Sequence, residues 1–160
     1  MLIKQLQQIR PKKRPRPLKP ERDACQVALN LLARREHSRV ELENKLNKKG
    51  FPCEQIDQAL EQLAANDLQS DQRFLDDFVR SRVLKGNGPL RISQELRQRG
   101  IEDGLSRIDD QEIDWLEVAT NTYTKKYKSS EIADARERAK RMRYMQSKGF
   151  SGDIIRQILK

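Results

Sequence analysis

The sequence predicts an all-α protein made of three tandem three-helix repeats that form an elongated, curved body. Three observations carry this. From residue 23 onward apolar residues recur at helical spacing, as in Ala24, Val27, Ala28, Leu31 and Leu32, which follow the i, i+3, i+4, i+7, i+8 rule for one buried face. Gly50, Gly100 and Gly149 stand at nearly equal intervals. Each is preceded four residues earlier by Leu46, Leu96 or Met145 and followed at once by Phe51, Ile101 or Phe150. Strand signals are weak, because alternation is missing and β-branched residues are few. Modules that touch only their neighbours give an elongated body.

The expected organisation is a basic tail over 1–22 and repeats over 23–69, 70–110 and 111–160. In the tail, RPKKRPRPLKP (10–20) reads as extended, polyproline-like chain, because proline fixes φ and removes backbone donors. Leu2, Leu6 and Ile9 before it either line a short helix or belong to a dangling terminus. In the first repeat, Ser38 and Glu41 have the spacing of a capping box. Leu42 and Leu46 face inward, and Gly50 supplies the left-handed residue that stops the helix. Ile56, Ala59, Leu60 and Leu63 mark a third helix. Ile155 and Leu159 stand at the same offsets from Gly149 as Ile56 and Leu60 from Gly50.

The second repeat opens with Phe74, Leu75, Phe78, Val79 and Val83. Its middle helix starts at Gly88-Pro89, where proline's missing N–H costs nothing. The third repeat opens with Trp115, Ala119 and Tyr123. It continues in a helix over about 131–148 whose apolar stripe is Ile132, Ala135, Ala139 and Met142.

Hydrophobic and charged residues each make up 36% of the chain, a thin apolar supply that suits small units with narrow seams. The net charge of +9 points to an anionic partner, nucleic acid first. Residues 1–20 carry seven bases and no acid, so the rest is nearly balanced. Within that rest the sign alternates: 51–80 and 101–118 are acidic, 81–100 and 119–160 basic. Such a charge map suits a protein partner as well as DNA.

Cys25 and Cys53 are too few for a disulfide framework and read as free thiols of a reducing cytoplasm. No 18-residue apolar run is present, and the first residues lack the apolar stretch of a signal peptide, so a cytoplasmic protein away from membranes is expected.

No catalytic constellation assembles. His37, the single histidine, reads as a surface residue ahead of a helix. Asp76-Asp77 and Asp109-Asp110 are adjacent pairs whose side chains do not face each other on a helix. Lys85-Gly86-Asn87-Gly88-Pro89 fits neither a P-loop nor a dinucleotide fingerprint and reads as a tight turn. One histidine and two separated cysteines make no zinc site. An enzyme, a cofactor, a metal and a small-molecule substrate are therefore not expected.

Bases do cluster. Arg136, Lys140 and Arg143 form one stripe at helical spacing, and Arg138, Arg141 and Lys148 widen it. Lys125, Lys126 and Lys128 close the preceding helix. In the second repeat Arg80, Arg82 and Lys85 precede the turn, and Arg91, Arg97 and Arg99 follow it. Such residues contact phosphate without reading sequence; the plainer reading is solvated helix faces. With so few aromatics, a dedicated single-strand binder is disfavoured.

FLDDFVRSRVLKGNGPLRISQELRQRGI (74–101) resembles the central signature of the RecX family, with Ile92, Glu95, Leu96, Gly100 and Ile101 at its marked positions. HSRVELENKLNKKGF (37–51) resembles the first family repeat. Asp114-Trp115, Lys125-Lys126-Tyr127 and SKGFSGDIIRQIL (147–159) resemble the third. The likeness covers roughly 23–160. Asn87, where an aromatic is common, and Arg99, where lysine is common, depart from the pattern. The proline-rich start has no counterpart. The resemblance implies a non-enzymatic regulator that binds RecA filaments on single-stranded DNA, with weaker direct DNA binding. It implies inhibition of RecA ATPase, strand exchange and coprotease activity, damping the DNA-damage response, and no cofactor. The alternative is a nonspecific DNA-binding protein that acts without RecA.

Overall fold

The computed structural model describes residues 23–128 and 131–159, and the basic tail with Leu2, Leu6 and Ile9 lies outside them. The described residues form nine helices and no strand: α1 (Ala24–Leu32), α2 (Arg39–Asn47), α3 (Cys53–Ala65), α4 (Asp71–Leu84), α5 (Pro89–Arg97), α6 (Gly104–Asp109), α7 (Trp115–Lys126), α8 (Ala135–Ser147) and α9 (Gly152–Ile158). Three cores follow in order. Leu42, Leu46, Ile56, Leu60 and Leu63 fill the first with Ala24, Ala28 and Ala59. Phe74, Leu75, Val79, Ile92, Leu96, Ile101 and Ile108 fill the second. Ala119, Tyr123, Met145, Phe150, Ile155 and Leu159 fill the third. Trp115 packs against both the second and third, joining them.

The glycine pattern has a single physical cause. Gly50, Gly100 and Gly149 take φ of +85°, +83° and +88°, a region open to glycine at little cost. Each closes a middle helix with a pair of backbone bonds. Phe51, Ile101 and Phe150 donate to the carbonyls of Leu46, Leu96 and Met145, and the glycines donate to Asn47, Arg97 and Gln146. This is the Schellman stop, in which the residues flanking the glycine touch across the helix end. It explains why an apolar residue stands on both sides of each glycine.

The units join through the same ends. The Gly88 N–H donates to the Lys148 carbonyl at 2.7 Å and the Leu90 N–H to the Gly149 carbonyl at 3.1 Å, so the end of α8 meets the start of α5. The Ser38 hydroxyl donates to the Arg99 carbonyl at 2.8 Å, so the end of α5 meets the start of α2. The three middle helices thus follow one another head to tail. Amide groups left over at one helix start, or its cap hydroxyl, meet carbonyls left over at the next helix end.

Three local expectations need correction. Asp134 caps α8 by accepting from the Glu137 N–H at 2.7 Å, so the helix begins at Ala135 rather than near 131. Of the expected stripe, Ile132 and Met142 pack against the third core, but Ala135 and Ala139 are exposed, and the buried positions of α8 are Arg141 and Met145. Ser38 accepts from the Glu41 N–H at 3.1 Å, which is half of a capping box. The Glu41 carboxylate turns instead to His37, Arg35 and Arg99.

Candidate nucleic-acid and partner interface

The twelve candidate bases fall into two groups. Arg82, Arg91 and Arg99 hold carboxylates of the chain itself. Arg82 and Arg91 clasp the two oxygens of Glu95 at 2.7 and 3.2 Å, and Arg99 Nε reaches Glu41 at 3.1 Å across the first junction. The guanidinium carbons of Arg82 and Arg99 lie 4.4 and 4.7 Å from the Phe78 ring centroid. Burial pushes the Glu95 carboxyl up, but the bonds from Arg82 and Arg91 outweigh it and hold it below the usual carboxylate range. The other nine, Arg80, Lys85, Arg97, Lys125, Lys126, Lys128, Arg136, Lys140 and Arg143, are exposed. Of these, Arg80 lies 3.5 Å from Asp77 and Lys140 lies 3.7 Å from Glu137, both loose surface pairs.

Two surface clefts gather five of the nine exposed bases. Arg136, Lys140 and Arg143 line one beside the start of α8, together with Glu131, Asp134 and Glu137. Lys85 and Lys125 line another between units two and three, together with Lys148, Tyr144, Val118 and Leu84, and no acid lines it. A third cleft, at the first junction, mixes Arg35, Arg82, Lys85 and Arg99 with Glu36, Glu41 and Asp77. Of these three clefts, the one lined by Lys85, Lys125 and Lys148 is basic without compensation.

The Lys85–Pro89 turn builds that cleft. Gly86, at φ +70°, leaves no room for a Cβ against the Thr122 side chain, so the end of α4 lies directly on α7. Gly88 approaches the Gly149 carbonyl as closely. The Gly88 and Leu90 amides are therefore already donated to the third unit and are not a phosphate cradle.

Family models for the first, second and third three-helix domains of RecX match residues 24–63, 70–107 and 112–159. The chain belongs to the RecX family. It is 46% identical over 136 residues to the regulatory protein RecX of Ectopseudomonas mendocina (strain ymp), covering 84% of this chain and 91% of the relative. It is 43% identical over 137 residues to that of Acidithiobacillus ferrooxidans (strain ATCC 53993 / BNL-5-31), covering 86% and 89%. The crystal structure of RecX from Lactobacillus salivarius superposes with a TM-score of 0.69 at 25% identity, covering 85% of this chain and 92% of that one. Both relatives are named regulatory proteins. No helix among the described residues is long and apolar enough to cross a membrane, and no group of three described His, Cys, Asp or Glu side chains is placed to hold a metal.

Two residues of this RecX fold sit where sequence reasoning did not put them. Arg141, read as part of the basic surface, is 6% exposed. Its guanidinium donates to the Tyr123 hydroxyl at 2.6 Å, Glu137 at 2.9 Å and the Glu131 carbonyl at 2.9 Å, and lies 4.7 Å from the Tyr127 ring centroid. These partners pin the stretch before α8 onto the helix and raise the Arg141 pKa, the Tyr123 bond first and Glu137 second. The signal was present: Tyr123, Tyr127 and an acid at i−4 are the partners a buried arginine needs. His37, read as a surface residue, is 3% exposed and sits in the first junction, with Nδ1 2.9 Å from Glu41. Sequence reasoning had Lys148 as a widening of the surface but not as a partner of Lys85 and Lys125, since that grouping exists only once α4, α7 and α8 end together.

Proposed function

We propose that this chain is a cytoplasmic regulator that binds RecA filaments on single-stranded DNA. By binding, it lowers RecA ATPase, strand exchange and coprotease activity and so modulates recombination and the DNA-damage response. Family membership supports a regulatory role. The observation that carries the finer reading is the division of the bases. Arg82 and Arg91 are held by Glu95 within unit two and Arg99 by Glu41 across the first junction, whereas the other nine candidate bases are exposed and remain for an outside partner. In this reading the third-unit row of Lys126, Lys128, Arg136, Lys140 and Arg143 takes phosphates, with the acidic stretches set against protein walls. Phosphate contact of this kind supplies affinity without sequence preference.

The test is Arg136→Glu with Lys140→Glu and Arg143→Glu. The helix should persist, because Arg, Lys and Glu have similar helix propensity, while the local charge changes by about six units. The folded triple variant should lose most repression of RecA-catalysed strand exchange. Wild-type repression should also outlast bare-DNA binding as salt rises. Repression and bare-DNA binding that fade together would favour a nonspecific DNA binder acting without RecA. A folded variant that represses normally removes this stripe from the interface.

A further inference from the structure

The cleft between units two and three has a chemistry that phosphate alone does not explain. Leu84, the last residue of α4, is 77% exposed, the most exposed of the large apolar side chains among the described residues. It stands in the cleft beside Val118 and Tyr144 and among Lys85, Lys125 and Lys148. Tyr144 is itself bracketed by cations, with Lys126 and Lys148 Nζ each 5.9 Å from its ring centroid. A helix that closes with Arg82, Leu84 and Lys85 has no internal need to expose leucine at that position. Burying it against a partner would remove that apolar surface from water, and a phosphodiester backbone offers little apolar surface to do so.

The plainest explanation of the lysines is helix-end electrostatics. Lys85 caps α4, Lys125 lies in the last turn of α7 and Lys148 caps α8. Each helix end carries roughly half a negative charge, so three ends offset only about half of the three lysine charges. With no carboxylate in the lining, the cleft stays positive. The clefts at the first junction and at the start of α8 contrast with it, each setting three acids against four bases.

We infer that this cleft docks an acidic protein segment carrying a bulky apolar anchor: Leu84, Val118 and Tyr144 receive the anchor, and Lys85, Lys125 and Lys148 pair with the flanking carboxylates. The inference deepens the regulatory reading and rests on it in taking the partner to be a protein. DNA is the other occupant that the charge would admit, and Leu84 separates the two.

The experiment uses the full chain and two fluorescein-labelled probes, the peptide Glu-Asp-Glu-Leu-Phe-Glu-Asp-Glu and an oligo-dT strand, read by fluorescence anisotropy. A second peptide replaces Leu-Phe with Ser-Ser. Leu84→Ser should weaken the first peptide about tenfold and leave oligo-dT within about twofold, since it removes apolar contact and no charge. Lys125→Gln with Lys148→Gln should weaken both peptides. Because Leu84 lies outside the core, an unchanged melting temperature for Leu84→Ser confirms that folding is not the cause. Equal binding of the two peptides overturns the inference, as does a Leu84→Ser variant that binds the first peptide normally. A lysine pair whose loss weakens oligo-dT but not peptide makes the cleft a phosphate site and also overturns it. Peptide capture that persists in a protein unable to repress RecA would count against the filament reading alone.

Discussion

The two junctions between repeats have the same geometry and different chemistry. Between units two and three the contact runs through the backbone, joined by the Arg91 guanidinium, which donates to the Ser147 carbonyl at 3.1 Å. Gly88 and Leu90 donate to Lys148 and Gly149 carbonyls, and Gly86, Gly88 and Gly149 remove the Cβ atoms that would keep the chains apart. Between units one and two the work passes to side chains. The Ser38 hydroxyl reaches the Arg99 carbonyl, Arg99 reaches Glu41, the Arg39 N–H reaches Asp71, and Arg73 reaches Glu36. Close packing is common to both, since a Cβ on Gly100 would collide with the Val40 side chain. The first junction adds ion pairs that salt can loosen, whereas the second rests on backbone bonds and on Arg91, which donates across it to a carbonyl and not to a carboxylate. Unit one is therefore expected to be the more readily detached.

The largest effect should come from closing the space at the second junction. A Cβ on Gly149 would lie 2.5 Å from the Arg91 backbone nitrogen, in addition to the strain of a β-branched residue at φ +88°. Gly149→Val should cost roughly 3–5 kcal/mol, read as a fall in chemical-denaturation midpoint. The matched control is Gly50→Val. It has the same backbone conformation at φ +85° but no atom within 4 Å of the added Cβ, so strain alone should cost about 1–3 kcal/mol. Equal losses at the two positions would show that the helix stop matters and the close approach does not.

The second test breaks the ionic junction. Glu41 accepts from Arg35 at 3.0 Å, Arg99 at 3.1 Å and His37 at 2.9 Å, and its side chain is 15% exposed. Glu41→Ala strands all three partners, and a charged bond of this kind contributes about 1.5–3 kcal/mol. Amide exchange should quicken across α1–α3 while the Gly88 and Leu90 amides keep their protection. Uniform loosening of all three units would mean that the junctions are not separable.

The contrast also shows what a sequence can disclose. Repeats were legible because Gly50, Gly100 and Gly149 each obey a local rule, a left-handed stop with flanking apolar residues, and local rules write themselves within six residues of chain. The junctions obey no such rule. Gly86 and Gly88 read as a turn, which they are, but their partners Thr122 and Gly149 lie far along the chain. Among the candidate bases, charge and spacing located the exposed row. Neither disclosed that Arg82 and Arg99 lie over Phe78, nor that Glu131, Asp134 and Glu137 line the cleft of the favoured stripe. Arg141 was misread for a related reason. A helical wheel assigns arginine to solvent, and only the tyrosines of α7 and its end reverse that assignment.

The smallest effect, and the most specific to the first junction, is pH dependence. Burial pushes the His37 pKa down. The bond to Glu41 opposes that, and the Arg35 charge adds to it. The fold therefore favours neutral His37, and with Glu41 ionised the 2.9 Å contact places the proton on Nδ1. As pH falls, the unfolded chain takes up this proton first. The contribution is complete above the unfolded histidine value of about 6.5 and is lost as pH falls from there through the lower folded value. Glu41 adds a second, more acidic stage. Burial pushes its carboxyl up, but the bonds and charges of Arg35 and His37 prevail and hold it below the ordinary range. Its contribution persists above the unfolded carboxylate value and disappears as pH falls through the depressed one. Lowering pH from 7.5 to about 5.5 should thus loosen unit one, measured as amide exchange in α1–α3 corrected for intrinsic rates, through His37 alone, the chain's single histidine. His37→Gln should flatten that slope, because glutamine can keep a hydrogen bond to Glu41 without titrating. The Gly88 and Leu90 amides should show no such slope in either protein, since their carbonyl partners do not titrate. An identical slope in wild type and His37→Gln would remove His37 from the junction's energetics and leave the difference between the junctions to salt-sensitive pairs alone.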